Sequence, residues 1–235
     1  MLFNNVDLSP YLRIKEIKGR GMVTSEIQLY EGLRRNGARF KRKRRPPRTL
    51  EIRADIKALN REDLRGKLEE LNGILAVPEP VPIVFPDEPN RTYIGIPAAS
   101  SEDGEVTYLH KGVLNIICPD PDKLGQTKTL NLTTSIQTFS VTGQTETPWT
   151  SRTLLTVPQS QFVLENNEGG KVILNYNFVA GDILEIDYDT RDVILNGNDL
   201  AVSISLETNW FDLKPGQVQL RASHNTALTY SERFY

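Results

Sequence analysis

The sequence has little of what builds disulfides, metal centres or membrane spans. Cys118 is its one cysteine, so no disulfide can form within the chain. The only histidines are His110 and His224, which argues against a structural zinc site. Either histidine could act as a base, but no nearby residue is marked as a nucleophile that would pair with it. No stretch approaches the roughly 20 apolar residues of a membrane span, and residues 1–7 do not resemble the start of a secretory signal. We expect a soluble protein that folds in a reducing cytosol, with no cofactor and no membrane insertion.

What the sequence does contain is material for a core and an uneven distribution of charge. Its 235 residues are 38% hydrophobic and 25% charged, which suits one large domain or two small ones. Residues 1–72 hold 18 Lys and Arg against 10 Asp and Glu, a balance of +8. Residues 73–235 hold 10 against 20, a balance of −10. This polarity suggests that unlike ends meet, either between subunits or on a charged partner.

Period-two alternation predicts strands through the first half of the chain. Residues 12–15 and 49–56 alternate apolar with polar side chains, and Val23, Ile27 and Leu29 indicate another strand. The dipeptide Asn36-Gly37 is typical of a type I′ hairpin turn. Further strands are predicted at residues 83–85, 92–96, 105–110 and 113–118.

One helix is predicted in this half. Asn60 is a suitable N-cap, and two acidic residues follow it where the helix dipole favours negative charge. Gly73 suits the C-terminal cap, so we expect the helix near residues 61–72. Its apolar stripe at helical spacing consists of Leu64, Leu68, Leu71 and Leu75, the last just beyond the regular turns.

Residues 119–125 predict a domain boundary, with domains at 1–125 and 126–235. Beyond it basic residues become rare, no capped helix is visible, and Asn196-Gly197 marks a tight turn. Strands are predicted at residues 172–178, 183–188, 193–195 and 201–206. Many short strands with regular turns indicate a sandwich or barrel, so the predicted fold class is mainly β with one helix.

The strongest polar feature is a basic run between residues 34 and 48, which contains no acidic residue. Three interpretations are open: binding of nucleic acid, a solvated loop, or a loop that docks on an acidic surface of another subunit. We predict a subunit or partner contact. The nine cations are Arg34, Arg35, Arg39, Lys41, Arg42, Lys43, Arg44, Arg45 and Arg48.

Two tryptophans offer a weaker candidate. Trp149 and Trp210 have flat aromatic faces that pack well on sugar rings, although such residues more often belong to a core. A cluster of five acidic residues between 182 and 192 similarly fits either a calcium site or the solvated face of a hairpin, and the alternation with apolar residues favours the hairpin.

Several segments together resemble the distal tail protein family of long-tailed, siphovirus-type bacteriophages. The resemblance covers most of residues 3–125 and is less distinct beyond them. In the first part the similar segments are FNNVDLSPYL (3–12), NGA (36–38), RTLEI (48–52), NREDLR (60–65), FPDEPNRTY (85–93) and CPDP (118–121). In the second part they are LNG (195–197) and NWFDLKPG (209–216).

The resemblance implies a structural protein of the virion tail tip, made in the cytoplasm of the host bacterium. Its N-terminal β-sandwich, with one helix, would build a homo-hexameric ring around a channel through which DNA passes. A second, galectin-like or carbohydrate-module-like β-sandwich would face outward. The ring would join the tail tube protein to the tail-tip hub protein and carry receptor-binding proteins. No enzyme activity is implied; the alternative function is a carbohydrate-binding module for glycans of the host cell surface.

Overall fold

The computed structural model describes residues 1–23, 25–31 and 36–235, with the side chains of residues 102 and 103 left out. The chain divides into two compact units: unit 1 comprises residues 1–123 with Tyr235, and unit 2 comprises residues 124–234. The division falls inside the segment 119–125 in which we predicted a boundary. Within the described ranges, every helix is too short or too polar to cross a membrane.

Unit 1 is built from short strands and one long helix. The helix α1 spans Arg61–Leu75. The strands are β1 (Leu2–Phe3), β2 (Val6–Asp7), β3 (Arg13–Lys18), β4 (Glu26–Glu31), β5 (Ala38–Arg44), β6 (Arg48–Lys57), β7 (Val81–Val84), β8 (Thr92–Pro97), β9 (Ser101–Val106) and β10 (Leu109–Cys118).

The core of unit 1 lies between its sheet and α1. Neighbouring strands pair in the order β3-β6-β10-β8-β7-β1-β2, and β9 pairs with β10. The alternation in β6 is visible in its burial, because Leu50, Ile52 and Ile56 point into the core while their neighbours do not. From the helix, Leu64 and Leu71 are buried and Leu68 and Leu75 pack against the same cluster.

The helix begins as predicted and ends later. The side chain of Asn60 accepts a hydrogen bond from the backbone N–H of Asp63 at 2.8 Å, which is the expected N-cap. The predicted end at Gly73 is wrong, since the helix continues to Leu75 and the backbone N–H of Ala76 closes the last turn on Asn72. The extra turn places Leu75 in the regular helix and extends its apolar stripe.

Unit 2 is a two-sheet β-sandwich. One sheet has the order β18-β17-β16-β13-β20-β11 and the other β12-β19-β14-β15. The strands are β11 (Lys123–Leu132), β12 (Gln137–Val141), β13 (Trp149–Leu154), β14 (Gln159–Asn166), β15 (Lys171–Phe178), β16 (Ile183–Asp187), β17 (Asp192–Leu195), β18 (Asn198–Asp199), β19 (Gly216–Ala222) and β20 (Thr226–Phe234). Both sheets contribute apolar side chains to one core, including Phe162 and Leu220 from one and Leu184 and Leu228 from the other.

The mainly β fold class is confirmed, with two local corrections. Residues 201–206 are not a strand, because Ala201–Ser203 form a single 3-10 turn. The strand predicted at 105–110 is interrupted at Thr107, whose φ of 59° turns the chain between β9 and β10. The tight turn at Asn196-Gly197 is confirmed, since φ angles of 50° and 83° join β17 to β18.

Candidate functional site

The basic run lies mostly in a hairpin that stands apart from the sheets. Strands β4 and β5 pair with each other and, among the strands that the structure describes, with no other. Every residue in both strands is exposed. Two of the three interpretations placed the basic run between residues 34 and 48 in a loop, and the structure shows a strand over Ala38–Arg44 instead. An isolated two-stranded hairpin is only marginally stable in water, so this one lacks the partner surface that such elements need.

The pairing register gives the hairpin two different faces. Opposite residues in an antiparallel pair point to the same side, and the side alternates along each strand. A bulge between Gln28 and Leu29 leaves Lys41 as the extra residue of β5. Before the bulge Arg42 pairs with Gln28, and after it Phe40 pairs with Leu29, so the bulge moves Phe40 away from the face that carries Arg42.

One face is largely apolar and open. It carries Ile27, Leu29 and Phe40, whose exposed fractions are 59%, 58% and 65%, and it ends in the pair of Glu31 with Ala38. Lys43 borders this face because it pairs with Ile27. Three large apolar side chains side by side on an exposed strand pair are typical of an interaction surface. We call them the apolar hairpin face.

The opposite face is polar and partly neutralised within the hairpin. The Nε of Arg44 donates to Glu26 at 2.6 Å, and the Nε of Arg42 donates to Gln28 at 2.6 Å. Arg39 pairs across the strands with Tyr30 on the same side. The predicted cations at Arg34 and Arg35 lie outside the described residues.

The last two cations of the run hold the hairpin at its root. Arg45 forms an ion pair with Asp122, whose side chain is 2% exposed, and stacks on the ring of Tyr235 at 4.8 Å. The Nε of Arg48 donates to the carbonyl of Pro121 at 2.8 Å, and its Nη1 donates to the carbonyl of Gly19 at 3.2 Å. These two arginines therefore have partners inside unit 1.

Gly19 itself is required at this point. Its φ is 90°, and a Cβ there would lie 1.9 Å from the carbonyl oxygen of Thr49. Both the left-handed backbone and the close approach exclude a side chain. The segment Gly19-Arg20-Gly21 is thus a bend that packs against the start of β6.

Arg20 fixes the other side of the root. Its Nη2 donates to Asp87 at 2.9 Å and to Glu88 at 2.8 Å, and its guanidinium lies 4.3 Å from the ring centre of Phe85. Burial alone would raise the pKa of Glu88, but hydrogen bonds from Arg20, Tyr93 and Lys123 outweigh it and lower the pKa to about 2.

Tyr93 completes this cluster. Burial is the main reason that the pKa of Tyr93 is raised to about 12. The Glu88 carboxylate also raises this pKa, and Arg20 lowers it by less than the other two together raise it. The hydroxyl of Tyr93 donates to Glu88 at 2.9 Å. Both chain segments that enter the hairpin are therefore anchored by buried or half-buried ionic contacts, while every residue of its two strands is exposed.

A second open surface of unit 1 is a groove of about 360 Å³ between α1 and the sheet. We call it the α1 groove. Its wall on the helix side includes Leu68, Leu71 and Leu75, and Ile56 and Val113 line it from the strands. At its rim Arg65 is paired with Glu105 at 2.8 Å. Glu69 is an exposed lining residue that pairs with no cation among the described residues.

The tryptophans occupy two different environments. Trp149 is 1% exposed, and its indole N–H donates to the carbonyl of Phe211 at 2.8 Å, so it is a core residue with no face available to a sugar. Trp210 is half-buried, with its ring 6.1 Å from that of Tyr188 in an edge arrangement. Glycan binding stays a prediction that only Trp210 can now support.

Sequence reasoning found the cations and missed the apolar hairpin face. Ile27 and Leu29 were visible as a strand pattern, and Phe40 was visible in the basic run. The sequence did not show that these three residues lie on one side, because simple alternation along β5 groups Phe40 with Arg42 and Arg44. The bulge at Lys41 is what separates them.

Two families of phage tail domains match this sequence. The family described as a phage tail protein RIFT-related domain matches residues 7–118. The family described as the C-terminal domain of a siphovirus-type tail component matches residues 142–234. The first match falls within unit 1 and the second within unit 2.

Known relatives cover the full length of the chain. The distal tail protein of Bacillus phage SPP1 is 31% identical over 240 residues, which span 100% of this chain and 95% of the relative. The crystal structure of SPP1 Dit, described as a paradigm of the hub adsorption apparatus in phages that infect Gram-positive bacteria, matches with a TM-score of 0.91 at 26% identity, over 100% of this chain and 98% of that one.

A more distant structure shares the fold. A chain in the activated, calcium-containing baseplate of phage P2 matches with a TM-score of 0.55 at 9% identity, over 98% of this chain and 96% of that one. The fold, the two matched domain families and the full-length relative agree. The chain therefore belongs to the distal tail protein family of siphovirus-type phages and is a structural component of the virion tail.

Proposed function

We propose that six copies of this chain form a ring that joins the tail tube protein to the tail-tip hub protein and leaves a channel for DNA. In this proposal residues 1–125 form the ring, and residues 126–235 face outward, where receptor-binding proteins attach. The observation that carries the proposal is the apolar hairpin face, which is open in a chain whose relatives are hub components. A ring supplies the cover that this face lacks.

The energetics favour a contact through this face. Full burial of a Leu, Ile or Phe side chain stabilises a contact by about 1.5–3 kcal/mol. The three side chains here are more than half exposed, so much of this stabilisation is still to be gained on association. Part of that gain offsets the loss of free motion on association. A hairpin with an anchored root loses less freedom than a mobile loop, so more of the gain remains.

The closed geometry follows from the kind of contact. A head-to-tail contact joins two unlike patches, and it closes into a ring when the rotation per subunit divides the full circle. The excess of cations before residue 73 and of acidic groups after it supports such an unlike pairing. Charge of this kind steers encounter and register more than it adds affinity.

Among the nine cations, Lys43 serves this contact best. It borders the apolar hairpin face, and no ion pair joins it to a described residue. Arg45 and Arg48 contribute indirectly, by holding the root.

The proposed role is structural rather than catalytic. The relatives are named for their place in the tail and its adsorption hub. The chain presents an anchored hairpin and a partly apolar groove, which suit assembly.

Mass in solution tests the ring most simply. We expect native mass spectrometry and negative-stain images of the purified full chain to show closed six-copy rings at high concentration, with single chains released on dilution. A mass of one chain at every concentration, with no rings in the images, would contradict the proposal.

A further inference from the structure

We infer that the α1 groove of a second copy receives the apolar hairpin face, with Lys43 of one copy against Glu69 of the other. The inference rests on the proposed ring and adds to it the surface on which the hairpin docks. Both surfaces belong to unit 1, so each copy supplies one hairpin and one groove. A chain with these two unlike patches has what a head-to-tail contact requires.

Neither surface is satisfied within its own chain. The side chains of Ile27, Leu29 and Phe40 are 58–65% exposed, and no residue of their hairpin lines the α1 groove. The groove has apolar lining residues from the helix and from two strands, with Asn72, Ser101 and His110 among its polar ones. The open hairpin face and the open groove are both explained if the hairpin of one copy lies in the groove of another.

The dimensions agree. Ile27 and Leu29 are two residues apart on one strand, which places them about 7 Å apart, and Phe40 lies about 5 Å across the pair. Leu68 and Leu75 are seven residues apart on α1, which gives the groove a length of about 10 Å along the helix. The backbone spacings of the three apolar residues are therefore shorter than the groove, whose volume is about 360 Å³.

Charge at the edges gives the contact a direction. Lys43 is exposed next to Ile27, and no ion pair joins it to a described residue. Glu69 lines the groove and is likewise without a cation, whereas the neighbouring Arg65 is already paired with Glu105. Docking of the apolar hairpin face in the groove brings Lys43, which no ion pair joins to a described residue, to the carboxylate of Glu69 at the rim.

One further carboxylate of the helix also favours this partner. Glu62 is exposed beside Glu69 on the outer side of α1 and forms no ion pair in the described part of the chain. The hairpin that approaches the helix carries an excess of cations. An uncharged or acidic partner surface would leave these two carboxylates without compensation.

A cysteine pair tests the contact directly. The variant Phe40→Cys/Leu68→Cys should form disulfide-linked oligomers under mild oxidation in conditions where the wild-type chain assembles, and each single variant should not. The matched control is Tyr30→Cys/Leu68→Cys, because Tyr30 is 64% exposed on the opposite face of the same hairpin. The native Cys118 is 1% exposed and does not compete.

Charge exchange supplies an independent readout. Lys43→Glu and Glu69→Lys should each weaken self-association about fivefold, and the double variant Lys43→Glu/Glu69→Lys should restore it. The control Arg39→Glu/Glu69→Lys exchanges the same charges but uses a cation on the other face, so it should not restore association.

The outcomes separate this inference from the proposed ring. Cross-linking of the first pair only, together with rescue by the charge exchange, supports the docking of hairpin in groove. Assembled wild-type rings with no cross-link and no rescue overturn it, and they leave the ring itself intact with a different occupant on the apolar hairpin face. A wild-type chain that never assembles contradicts the ring and this inference together.

Discussion

Two hairpins of this chain, β16–β17 and β4–β5, have the same architecture, an antiparallel strand pair with alternating side chains. They differ in whether their apolar side chains are buried within the chain. In β16–β17 the side chains of Leu184, Ile186, Val193 and Leu195 are 0–8% exposed, because they form part of the sandwich core. In β4–β5 the equivalent apolar positions are 58–65% exposed. The first hairpin is satisfied within its own unit, and the second is not.

The difference shows what each hairpin contributes. Apolar burial in β16–β17 stabilises the fold of unit 2. The apolar hairpin face of β4–β5 adds little to the folding of its own chain, yet its root is anchored by Arg20, Arg45 and Arg48. An element that is held in place without being used in the core is arranged for an external contact.

The largest effect is expected when a negative charge is placed on the apolar hairpin face and, as a control, on the polar face. We expect Phe40→Asp to abolish self-association, because an unpaired carboxylate would have to be buried in the contact. Its melting temperature should stay near that of the wild type. Sedimentation velocity at several concentrations measures the first effect and calorimetry the second.

The matched control is Tyr30→Asp. Tyr30 has nearly the same exposure as Phe40, 64% against 65%, but lies on the polar face. It should retain self-association. Equal loss in both variants would show that the hairpin does not act through one face.

Truncation of a leucine should lower stability strongly in the β16–β17 hairpin and hardly at all in the β4–β5 hairpin. Leu184→Ala should lower the free energy of unfolding by about 2–5 kcal/mol, since Leu184 is fully buried. Leu29→Ala, at a position 58% exposed, should change it by less than about 0.5 kcal/mol in the unassembled chain. Urea unfolding at low protein concentration compares them, and similar losses would remove the contrast between the two hairpins.

Acid should loosen the root of β4–β5. The pKa of Glu88 is lowered to about 2 in the folded chain, against an ordinary value of 4.5. A depressed carboxyl pKa stabilises the fold above the unfolded value, and that stability is lost as pH falls from about 4.5 to about 2. We expect a loss of the order of 2 kcal/mol across this window.

The control for this pH effect is Glu88→Gln, which keeps the shape of the side chain and removes its titration. Unfolding measured at pH 5 and at pH 3 should show a smaller difference in this variant than in the wild type. An identical pH dependence in the two proteins would rule out Glu88 as its source.

The smallest effect concerns the helix that borders the α1 groove. Asn60→Ala removes the N-cap hydrogen bond to the backbone N–H of Asp63 and should cost about 1 kcal/mol. Asn60→Asp keeps an accepting oxygen at the cap and should retain most of the stability. Thermal unfolding compares both, and no difference between them would mean that the cap does not stabilise α1.

Much of the fold was predictable because local chemistry determines it. Asn60 caps the helix, Asn196-Gly197 forms its turn, and the alternation in residues 49–56 becomes the half-buried strand β6. The predictions failed where a longer-range contact decides. Helix α1 continues past Gly73 because Leu75 packs against the core, and residues 201–206 form a 3-10 turn rather than a strand.

The candidate site was predicted only in part. The basic residues were evident, but their separate roles depend on partners distant in sequence, such as Asp122 for Arg45. The apolar hairpin face depends on the bulge at Lys41, and no local pattern marks it. Trp149 is buried in the sandwich core, where its indole N–H donates to the carbonyl of Phe211, 62 residues away.

The most direct test of the account is a cryo-electron microscopy map of the assembled full chain. The account predicts a closed ring in which Ile27, Leu29 and Phe40 of each copy are covered by the α1 groove of its neighbour. A ring in which these three side chains face solvent would contradict it.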